Sequence, residues 1–499
     1  MGGAHSQGDA QAGRDRRARR HAAGEFRHRS AAESQCARRR ERAAEKGLSR
    51  RENPGNGESR MIIRAILSLC LLVLAAVTPA SAIEIQEVRT PKGITAWLVE
   101  DHTVPLIAMN FSFRGGAAND PDDMRGLASF LSAMLDEGAG DMKSEAFQAR
   151  MEELAMRMSY SAGQEYFSGS FRTLTRNRDA SFALLRLAVN APRFDTKPLE
   201  RIRQQLLVSI RRKSADPDHV SFMAFKKLLF GDHPFARDTE GTEAGVKAVT
   251  AQALRDLHRR LFARSGLVIA VAGDIDAKTL SRQLDEVFGD LPEKSGMPEV
   301  TPPKISPEPE MKIISRSIPQ TLIVMGHEGL VRSDPDFIPA YVANFILGGG
   351  GFGSRMTEEV REKRGLAYSA YSAMFTYRKV GVFFASAGTR NEKAGEAVRI
   401  MKAEIARMAK EGPTEKELEE AKTYLIGAYP LRFDSTTKVA AGLLAIQREN
   451  LGIDYIRKRN DMIRALTLEQ VKAAAKKLLH PDRLKVVLLG RPEGVGSTK

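Results

Sequence analysis

The sequence predicts an α+β fold of two homologous α/β-roll domains, each a mixed antiparallel sheet with helices packed on one face, joined by a proline-rich linker. The first observation behind this prediction is the alternation of short runs with a two-residue apolar period and longer runs with a helical period. The second is an internal repeat of about 200 residues. Composition agrees, because 42% hydrophobic and 28% charged residues in a chain of 499 are ordinary for a globular protein of several domains.

The repeat is carried by short proline, acidic and threonine markers. The spacing between the two marker prolines is identical in both copies, and the offset between the copies stays nearly constant along the chain. The markers are Val104-Pro105, Asp120-Pro121-Asp122, Leu199-Glu200, Leu206, Thr250 and Gly273, matched by Ile318-Pro319, Asp334-Pro335-Asp336, Leu418-Glu419, Leu425, Thr467 and Gly490. We therefore expect a first domain over 83–291, a linker over 292–310 and a second domain over 311–499.

The individual elements follow from their periodicity. Apolar residues alternate along 105–114, which predicts a strand. Further strands are predicted over 83–100 and 266–272, and helices over 125–135, 143–160, 177–191, 197–213 and 250–262. The prolines between 291 and 310 predict a stiff, extended linker. In the second copy, Thr414 with Glu417 and Thr467 with Gln470 form capping boxes that predict helix starts.

The segment 1–82 differs from the rest of the chain. Residues 1–60 are rich in Arg, Ala, Glu and Gly and poor in large apolar side chains, so we expect them to be disordered. Residues 61–82 have the three parts of a secretory signal peptide: a basic start at Met61–Arg64, an apolar run over 65–77 and the small residues Ala80-Ser81-Ala82. Because a signal peptide begins where translation begins, we interpret Met61 as the initiator and residues 1–60 as not translated. The apolar run is short for a bilayer span, so we expect an exported, periplasmic protein without stable membrane insertion.

Removal of residues 1–82 changes the charge and the cysteine count. The full chain carries +15, and the removed part carries 16 Lys/Arg and 8 Asp/Glu, so the exported chain would carry 15 − 8 = +7. Such a mild excess does not call for nucleic acid as a partner. Both cysteines, Cys36 and Cys70, would also leave, which excludes a disulfide, a Cys–zinc site and a Cys nucleophile.

A run of glycines in the second half leads into a charged segment that is predicted to be helical and that ends at Arg364-Gly365, before a predicted strand. The run consists of Gly348, Gly349, Gly350, Gly351, Phe352 and Gly353. Glycine allows positive φ and close backbone approach, which suits a binding loop. A phosphate-binding loop would need Gly-Lys-Ser/Thr or a strand–GxGxxG–helix arrangement, and Gly353-Ser354-Arg355 follows instead. A linker between two helices is the alternative interpretation.

Taken together, the repeat and several motifs resemble the M16 zinc peptidases, the family of pitrilysin, the mitochondrial processing peptidase and the core proteins of the cytochrome bc1 complex. The motifs are Gly-Leu-Ala-Ser-Phe-Leu at 126–131, Gly-Asp-His-Pro-Phe-Ala at 231–236, Val-Ala-Gly-Asp at 271–274 and Arg-Gly-Leu-Ala-Tyr-Ser at 364–369. The resemblance covers nearly all of residues 84–490. It implies paired α/β halves that together enclose part of a substrate chamber.

The resemblance also shows what this chain lacks. Active members carry His-x-x-Glu-His on a first-half helix, whose two histidines bind zinc while the Glu activates water, and a further Glu completes the site. The matching positions here are Ser129, Ser132 and Ala133, and the distal Glu falls near Ser209. A hydroxyl or a methyl group does not hold Zn²⁺. We therefore predict no zinc and no other cofactor in this chain.

The second half keeps what the resemblance implies for a substrate site. Active members place an Arg and a Tyr, seven residues apart, on the substrate carbonyl, and Arg361 and Tyr368 match this spacing, with Arg364 as a second choice for the Arg. The alternative interpretation is a solvated Arg361 and a half-buried strand tyrosine. The glycine run resembles the substrate-contacting loop of the non-catalytic processing-peptidase subunit.

We therefore predict the non-catalytic subunit of an exported M16-type metallopeptidase. A homologous partner with an intact His-x-x-Glu-His would bring the zinc and form a heterodimer, and unfolded peptides would be the substrates. The alternative is an inert scaffold or peptide-binding protein of the same fold. Peptidase activity of the chain alone would need a nucleophile–base pair, and the sequence offers no such constellation.

Overall fold

The structure is a computed structural model that describes residues 84–496. The predictions for residues 1–60 and for the signal peptide at 61–82 lie outside the described residues. The first half contains strands β1 Gln86–Arg89, β2 Thr95–Glu100, β3 Leu106–Arg114, β4 Gly138–Ala139, β5 Met142–Lys143, β6 Arg157–Ala162, β7 Tyr166–Leu174 and β8 Val268–Gly273. Its helices are α1 Leu127–Ser132, α2 Ser144–Glu153, α3 Arg178–Asn190, α4 Thr196–Ala215, α5 Pro217–Phe230, α6 Glu243–Ala248, α7 Ala251–Leu261 and α8 Ala277–Phe288.

The second half begins after an extended segment. Its strands are β9 Glu310–Ser315, β10 Gln320–Gly329, β11 Ala367–Tyr377, β12 Val380–Arg390 and β13 Lys485–Gly490. Its helices are α9 Phe337–Asn344, α10 Ala394–Glu411, α11 Glu415–Gly427, α12 Thr436–Arg448, α13 Tyr455–Arg464 and α14 Leu468–Leu478. Both capping boxes are present, at the starts of α11 and α14. No helix among residues 84–496 is long and apolar enough to cross a membrane.

The two main sheets share one topology. The first has the strand order β1-β2-β8-β3-β7-β6, and the second, read from its β9 edge, has the order β9-β13-β10-β12-β11. In each sheet one parallel pair, β2 with β8 or β9 with β13, adjoins a run of antiparallel strands. Apart from β1, each strand of the first sheet has one equivalent strand in the second sheet. The prediction of two homologous mixed sheets is confirmed; the domain boundaries stay predictions.

One face of each sheet carries the large apolar residues and packs on helices of its own half. In the first half Met109, Phe111 and Phe113 on β3 point to this face and are buried. In the second half Ile323 and Met325 on β10 do the same. Alternation along each strand places every second side chain on the opposite face. The helices that were predicted to pack on one face of each sheet therefore lie on the face that carries the large apolar residues.

The opposite face of each sheet is covered by a helix that the other half donates. Helix α5 of the first half packs against the second sheet, with Phe225 and Leu229 beside Val324 and Val487. Helix α12 of the second half packs against the first sheet in the same way, with Val439 and Leu443 beside Trp97, Ala108 and Ala270. The two helices start at Pro217 and Thr436, and this offset matches that of the other repeat markers. The halves thus exchange equivalent helices.

The segment between the halves runs without helix or strand from 292 to 309. It is held by hydrogen bonds, because Asn119 donates to Pro298 O over 2.8 Å and His233 Nε2 lies 2.8 Å from Thr301 O. Lys379 of the second half forms an ion pair with Glu299 at 2.6 Å. The linker is therefore bound to both halves.

Two predicted helices are too long: the helix expected over 125–135 is α1, Leu127–Ser132, and the helix expected over 143–160 differs more. The helix expected over 143–160 ends at Glu153, and residues 157–162 form strand β6. Ala155 has a positive φ of 48°, which ends the helix and turns the chain. Met158 and Tyr160 then point to the core face while their neighbours point away. This alternation marks a strand, although the apolar residues of α2 and β6 together resemble one long helix.

Candidate functional site

The position that matches the zinc motif lies on the short helix α1. Ser129 and Ser132 are on this helix, and Ala133 follows its last residue. The Ser132 hydroxyl donates to Ser129 O over 2.7 Å, so its proton closes a turn of its own helix. No side chain at these three positions offers the imidazole or carboxylate that zinc requires.

The position that matches the distal Glu is Ser209, and it also offers no zinc ligand. Ser209 on α4 donates its hydroxyl proton to Glu240 Oε2 over 3.0 Å, and Lys213 donates to Glu240 Oε1 over 2.5 Å. Glu240 is therefore a carboxylate near the lost ligand, but it is neutralised by an ammonium group. Among residues 84–496 no three His, Cys, Asp or Glu side chains converge to hold a metal ion. The residues present do not fit a zinc ion.

In the second half, the glycine run begins in one π-helical turn and leads to another. Helix α9 continues as a π-helical turn over Phe345–Gly349, a 3₁₀ turn covers Gly351–Gly353, and a second π-helical segment spans Thr357–Glu362. The wider hydrogen bonding of π-helix is rare and often found at functional sites. These irregular turns carry the chain from α9 to the start of β11.

The positions of the glycine run differ in whether a side chain would fit there. A Cβ at Gly348 would lie 2.5 Å from Ser372 N, and one at Gly350 would lie 2.9 Å from Phe345 O. Gly351 has a positive φ of 62°. By contrast, a Cβ at Gly353 would meet no atom within 4 Å. Packing thus explains the first part of the run, while the tip around Phe352 and Gly353 is open.

Arg355 anchors the end of this loop. Its guanidinium donates to both carboxylate oxygens of Glu417, over 2.6 and 2.7 Å, and to Gly412 O over 3.0 Å. Burial alone would raise the pKa of Glu417, but the bonds from Arg355 and Thr414 hold that pKa at about 2. Because Glu417 also caps α11, this bidentate pair fixes the loop to the start of that helix.

The predicted pair Arg361 and Tyr368 is brought together, and Phe352 joins it. The guanidinium carbon of Arg361 lies 4.9 Å from the ring centre of Tyr368 and 4.7 Å from that of Phe352. Tyr368 is 84% exposed and Phe352 is 75% exposed. A cation–π contact of this kind uses the positive charge of the arginine. Two of the predicted site residues and the loop tip therefore form one exposed cluster, which we call the Arg361 cluster.

A β-bulge is what turns Tyr368 outward. The pairing of β11 with β12 shifts between Ala367 and Ala370, so Tyr368 and Ser369 have no partner across the ladder. Ala367 and Ala370 are buried while the two residues between them are exposed. Bulges re-aim side chains in this way next to active sites. The bulge thus presents the phenol to solvent instead of to the core.

Arg364, the second choice for the arginine of the pair, is already hydrogen-bonded to Glu359. It donates to Glu359 Oε2 over 2.5 Å and to Glu359 O over 2.8 Å, within its own turn. Arg361 has only one carboxylate contact among the described residues, a 3.3 Å ion pair from its Nε to Glu362. The geometry therefore favours Arg361 over Arg364 as the partner of Tyr368.

Family models match both halves of this chain. The model described as "Insulinase (Peptidase family M16)" matches residues 96–243, and the model described as "Peptidase M16 inactive domain" matches residues 248–425. The chain belongs to the M16 peptidase family. A crystal structure of a peptidase M16 inactive domain from Pseudomonas fluorescens superposes with a TM-score of 0.77 at 29% identity, over 82% of this chain and 98% of that one. A protease structure from Helicobacter pylori, with a TM-score of 0.74 at 16% identity over 82% of this chain and 100% of that one, shares the fold.

Relatives within the M16 family differ in their names. A Helicobacter pylori protein called non-peptidase homolog YmxG is 26% identical over 355 residues, which cover 71% of this chain and 81% of its own. A Bacillus subtilis protein called uncharacterized zinc protease YmxG is 22% identical over 394 residues, which cover 78% and 94%. In this chain Ser129, Ser132, Ala133 and Ser209 stand where the zinc motif and the distal Glu would lie. Such a homologue fits a non-catalytic M16 subunit.

Two features of this M16 site escaped the sequence prediction. Arg355 lies in a charged segment, and only its bidentate contact with Glu417, 62 residues away, identifies it as an anchor. Tyr424 on α11 is exposed and stacks on Phe345 at 5.3 Å between ring centres, so it extends the aromatic surface beside the loop. The capping box at Thr414 already indicated the start of α11, but no spacing rule connects that helix to the glycine run.

Proposed function

We propose that this chain is the non-zinc-binding subunit of a heteromeric, exported M16 metallopeptidase. A homologous partner with an intact His-x-x-Glu-His would carry the zinc, and this chain would supply Arg361, Tyr368 and the glycine loop to a shared site. The observation that carries the proposal is the Arg361 cluster. Tyr368 lies on an exposed bulge, and Arg361 lies on the π-helical segment that precedes the strand. Both residues therefore depart from regular secondary structure, and Tyr368 buries little surface, which is typical of a functional site.

The chemistry of the cluster suits a peptide carbonyl. The cation–π contacts restrain the Arg361 side chain, while the N–H groups at its Nη atoms remain able to donate in the plane of the guanidinium. The Tyr368 hydroxyl is a second donor. Two donors aimed at one carbonyl oxygen stabilise the negative charge that develops there during attack on the peptide bond. In this role the chain binds and orients the substrate.

The remaining parts of the site fit an unfolded peptide. Strand β6 ends the first sheet, and one of its two sides has no neighbouring strand among the described residues. An extended peptide adds to such an edge through backbone hydrogen bonds, largely irrespective of its sequence. The loop tip at Phe352 and Gly353 would cover the peptide near the shared site. Unfolded peptides are therefore the substrate class that we propose.

The test is reconstitution with the zinc-bearing partner. We expect activity on unfolded peptides only in the mixture, and Tyr368→Phe should lower the turnover rate by roughly 10²–10³-fold because one oxyanion donor is lost. Arg361→Ala should reduce both binding and rate. Tyr371→Phe is the matched control, since Tyr371 lies three residues further on the same strand and contacts Phe384 instead of Arg361. Size measurements check that every pair assembles.

Two outcomes would contradict parts of the proposal. A Tyr368→Phe pair that assembles and cleaves at the wild-type rate would remove the shared site and leave the scaffold interpretation. Export is tested separately, because the N-terminus of the periplasmic protein should begin at or near Ile83. A mature protein that still carries residues 1–60 would contradict it.

A further inference from the structure

The outer face of the first sheet is open and polar near its β6 edge. Helix α12 covers this face over β2, β8 and the start of β3. Beyond it, the paired part of β7 and β6 presents serines and two arginines to the outside. These outward residues pair across the strands as Ser161 with Ser168, Ser159 with Ser170 and Arg157 with Arg172. The serine hydroxyls of the middle pair lie 3.0 Å apart.

The arginine pair is unusual because its charges have no partner among the described residues. Arg157 and Arg172 stand directly opposite each other in the register of β6 and β7, and both are exposed. Within residues 84–496 neither guanidinium lies within 4.0 Å of a carboxylate oxygen, whereas nearby Arg150 and Arg178 each form an ion pair. Like charges directly opposite in a sheet destabilise it. An exposed pair of like charges that lowers stability and forms no ion pair among the described residues indicates a use for the charge.

The position of the arginine pair determines which side chains of a bound peptide it would contact. Arg157 begins the edge strand, and a peptide added to β6 would place alternate side chains on the outer face beside Arg157, Ser159 and Ser161. Arg172 lies one strand further in, directly opposite Arg157. The short serine side chains leave room for those of the added strand. A carboxylate on that strand would therefore meet two guanidinium groups that no acid of the described residues neutralises.

We propose that the β6 edge of this chain selects extended peptides with acidic side chains, which Arg157 and Arg172 bind on the outer face of the first sheet. This inference rests on the proposed function and deepens it, since it names the class of peptide that the chain takes. Charge complementarity carries it: a carboxylate relieves the repulsion within the pair and gains charge-assisted hydrogen bonds. Arginine is suited to this task because its planar fork binds carboxylates bidentately.

The test uses the purified chain alone and two labelled peptides of about ten residues, enough to cover one strand. One peptide carries Glu at alternate positions and the other carries Gln there. Fluorescence anisotropy at low salt should show the Glu peptide binding about tenfold tighter, an advantage that shrinks as salt screens the charges. The double variant Arg157→Gln, Arg172→Gln should bind both peptides equally. The double variant Arg399→Gln, Lys410→Gln on α10 removes the same charge elsewhere and should keep the preference.

A third variant separates binding from folding. Arg157→Glu creates a cross-strand ion pair with Arg172, so it should raise the melting temperature while abolishing the preference for acidic peptides. Equal binding of the Glu and Gln peptides by the wild-type chain would overturn the inference. So would a preference that survives loss of both arginines. If the Glu peptide binds as expected but the reconstituted pair has no peptidase activity, the proposed function fails and the preference of the β6 edge stands.

Discussion

The two halves carry equivalent hairpins with opposite surfaces. In the first half the outer face of β6–β7 is polar and open, with paired serines and arginines. In the second half the outer face of β11–β12 holds Phe375 and Phe384, whose ring centres lie 6.2 and 5.9 Å from that of Phe222 on the donated helix α5. The strand order is the same in both sheets. The repeat therefore specifies topology, while the outward residues decide which sheet face is left free.

The two halves also differ in the functional groups that they expose. The first half has no zinc ligand at the positions that match the motif, and its remaining distinctive feature is the open, polar outer face beside the β6 edge. The second half has a covered sheet, but its loop and bulge present the Arg361 cluster. Under the proposed function, each half of the repeat supplies one part of a peptide-handling surface. The following predictions test how far the halves are independent.

The largest effect should come from breaking the helix exchange. Phe225→Ala on α5 removes a fully buried ring that contacts Gly326 of the second sheet, and the cost should be about 3–5 kcal/mol in urea denaturation. Hydrogen exchange should rise in β10 and β13 of the second half more than in the first sheet. The counterpart, Leu443→Ala on α12, should cost about 2–5 kcal/mol and loosen β2 and β8 instead. If hydrogen exchange rose only in the half that carries the substitution, the two halves would be stable independently of each other.

Acid should destabilise the second half through His327 on β10. Burial lowers the pKa of His327 to about 4, and the neutral ring accepts a hydrogen bond from His480 N over 3.1 Å. The unfolded chain therefore binds a proton that the folded chain rejects, so stability present above about pH 6.5 is lost as the pH falls toward 4, by about 3 kcal/mol. The repeat offset places Phe113 at the equivalent position of the first half. His327→Phe should flatten the pH dependence of the unfolding free energy.

The first half responds to pH in the opposite direction at one residue. Hydrogen bonds to Asp274 and Glu100 raise the pKa of the exposed His102. Its contribution to stability is present below about pH 6.5 and is lost as the pH rises through the raised pKa. His102→Gln is thus a control that should not reduce the acid sensitivity. An unchanged acid dependence in His327→Phe would show that other groups dominate.

The smallest effect concerns the glycine run of the second half. Gly348→Ala should cost about 1–3 kcal/mol, because its Cβ would meet the backbone of Ser372 at 2.5 Å. Gly353→Ala should change stability by less than about 0.5 kcal/mol, since its surroundings are open. Thermal unfolding of the two variants gives the comparison directly. Equal costs would mean that the whole run is structural, and the binding role of its tip would lose support.

Much of the fold could be predicted from the sequence. The proline markers revealed the repeat, and alternation located β3. The exchange of α5 and α12 could not be predicted, because a helical period shows that a face is apolar but not which sheet it covers. The same limit explains the overlong helix at 143–160. Ala155 is an ordinary helix former, and its positive φ of 48° accompanies the packing of β6 onto the core, which a count of periods does not reveal.

The candidate site was predictable only in part. The resemblance to the M16 family implied the pair Arg361 and Tyr368, and the two residues are neighbours in the structure, although their role stays a prediction. The bulge that exposes Tyr368 depends on how β11 registers with β12, and the residues around it leave no local pattern. Arg157 and Arg172 belong to different strands, so their opposition appears only once the hairpin register is known. Contacts that depend on register or on long loops are the ones that sequence patterns miss.

The exchange of α5 and α12 also sets an order of events during synthesis. The first sheet is complete as a set of strands once β8 has emerged, but Trp97, Ala108 and Ala270 stay uncovered until α12 arrives, after most of the second half. A nascent chain that stops between these points exposes an apolar sheet face, the kind of surface that aggregates or recruits chaperones. The protein thus commits to its native state only when nearly its whole length is available. Truncated forms that end before Thr436 should accumulate as insoluble or degraded material.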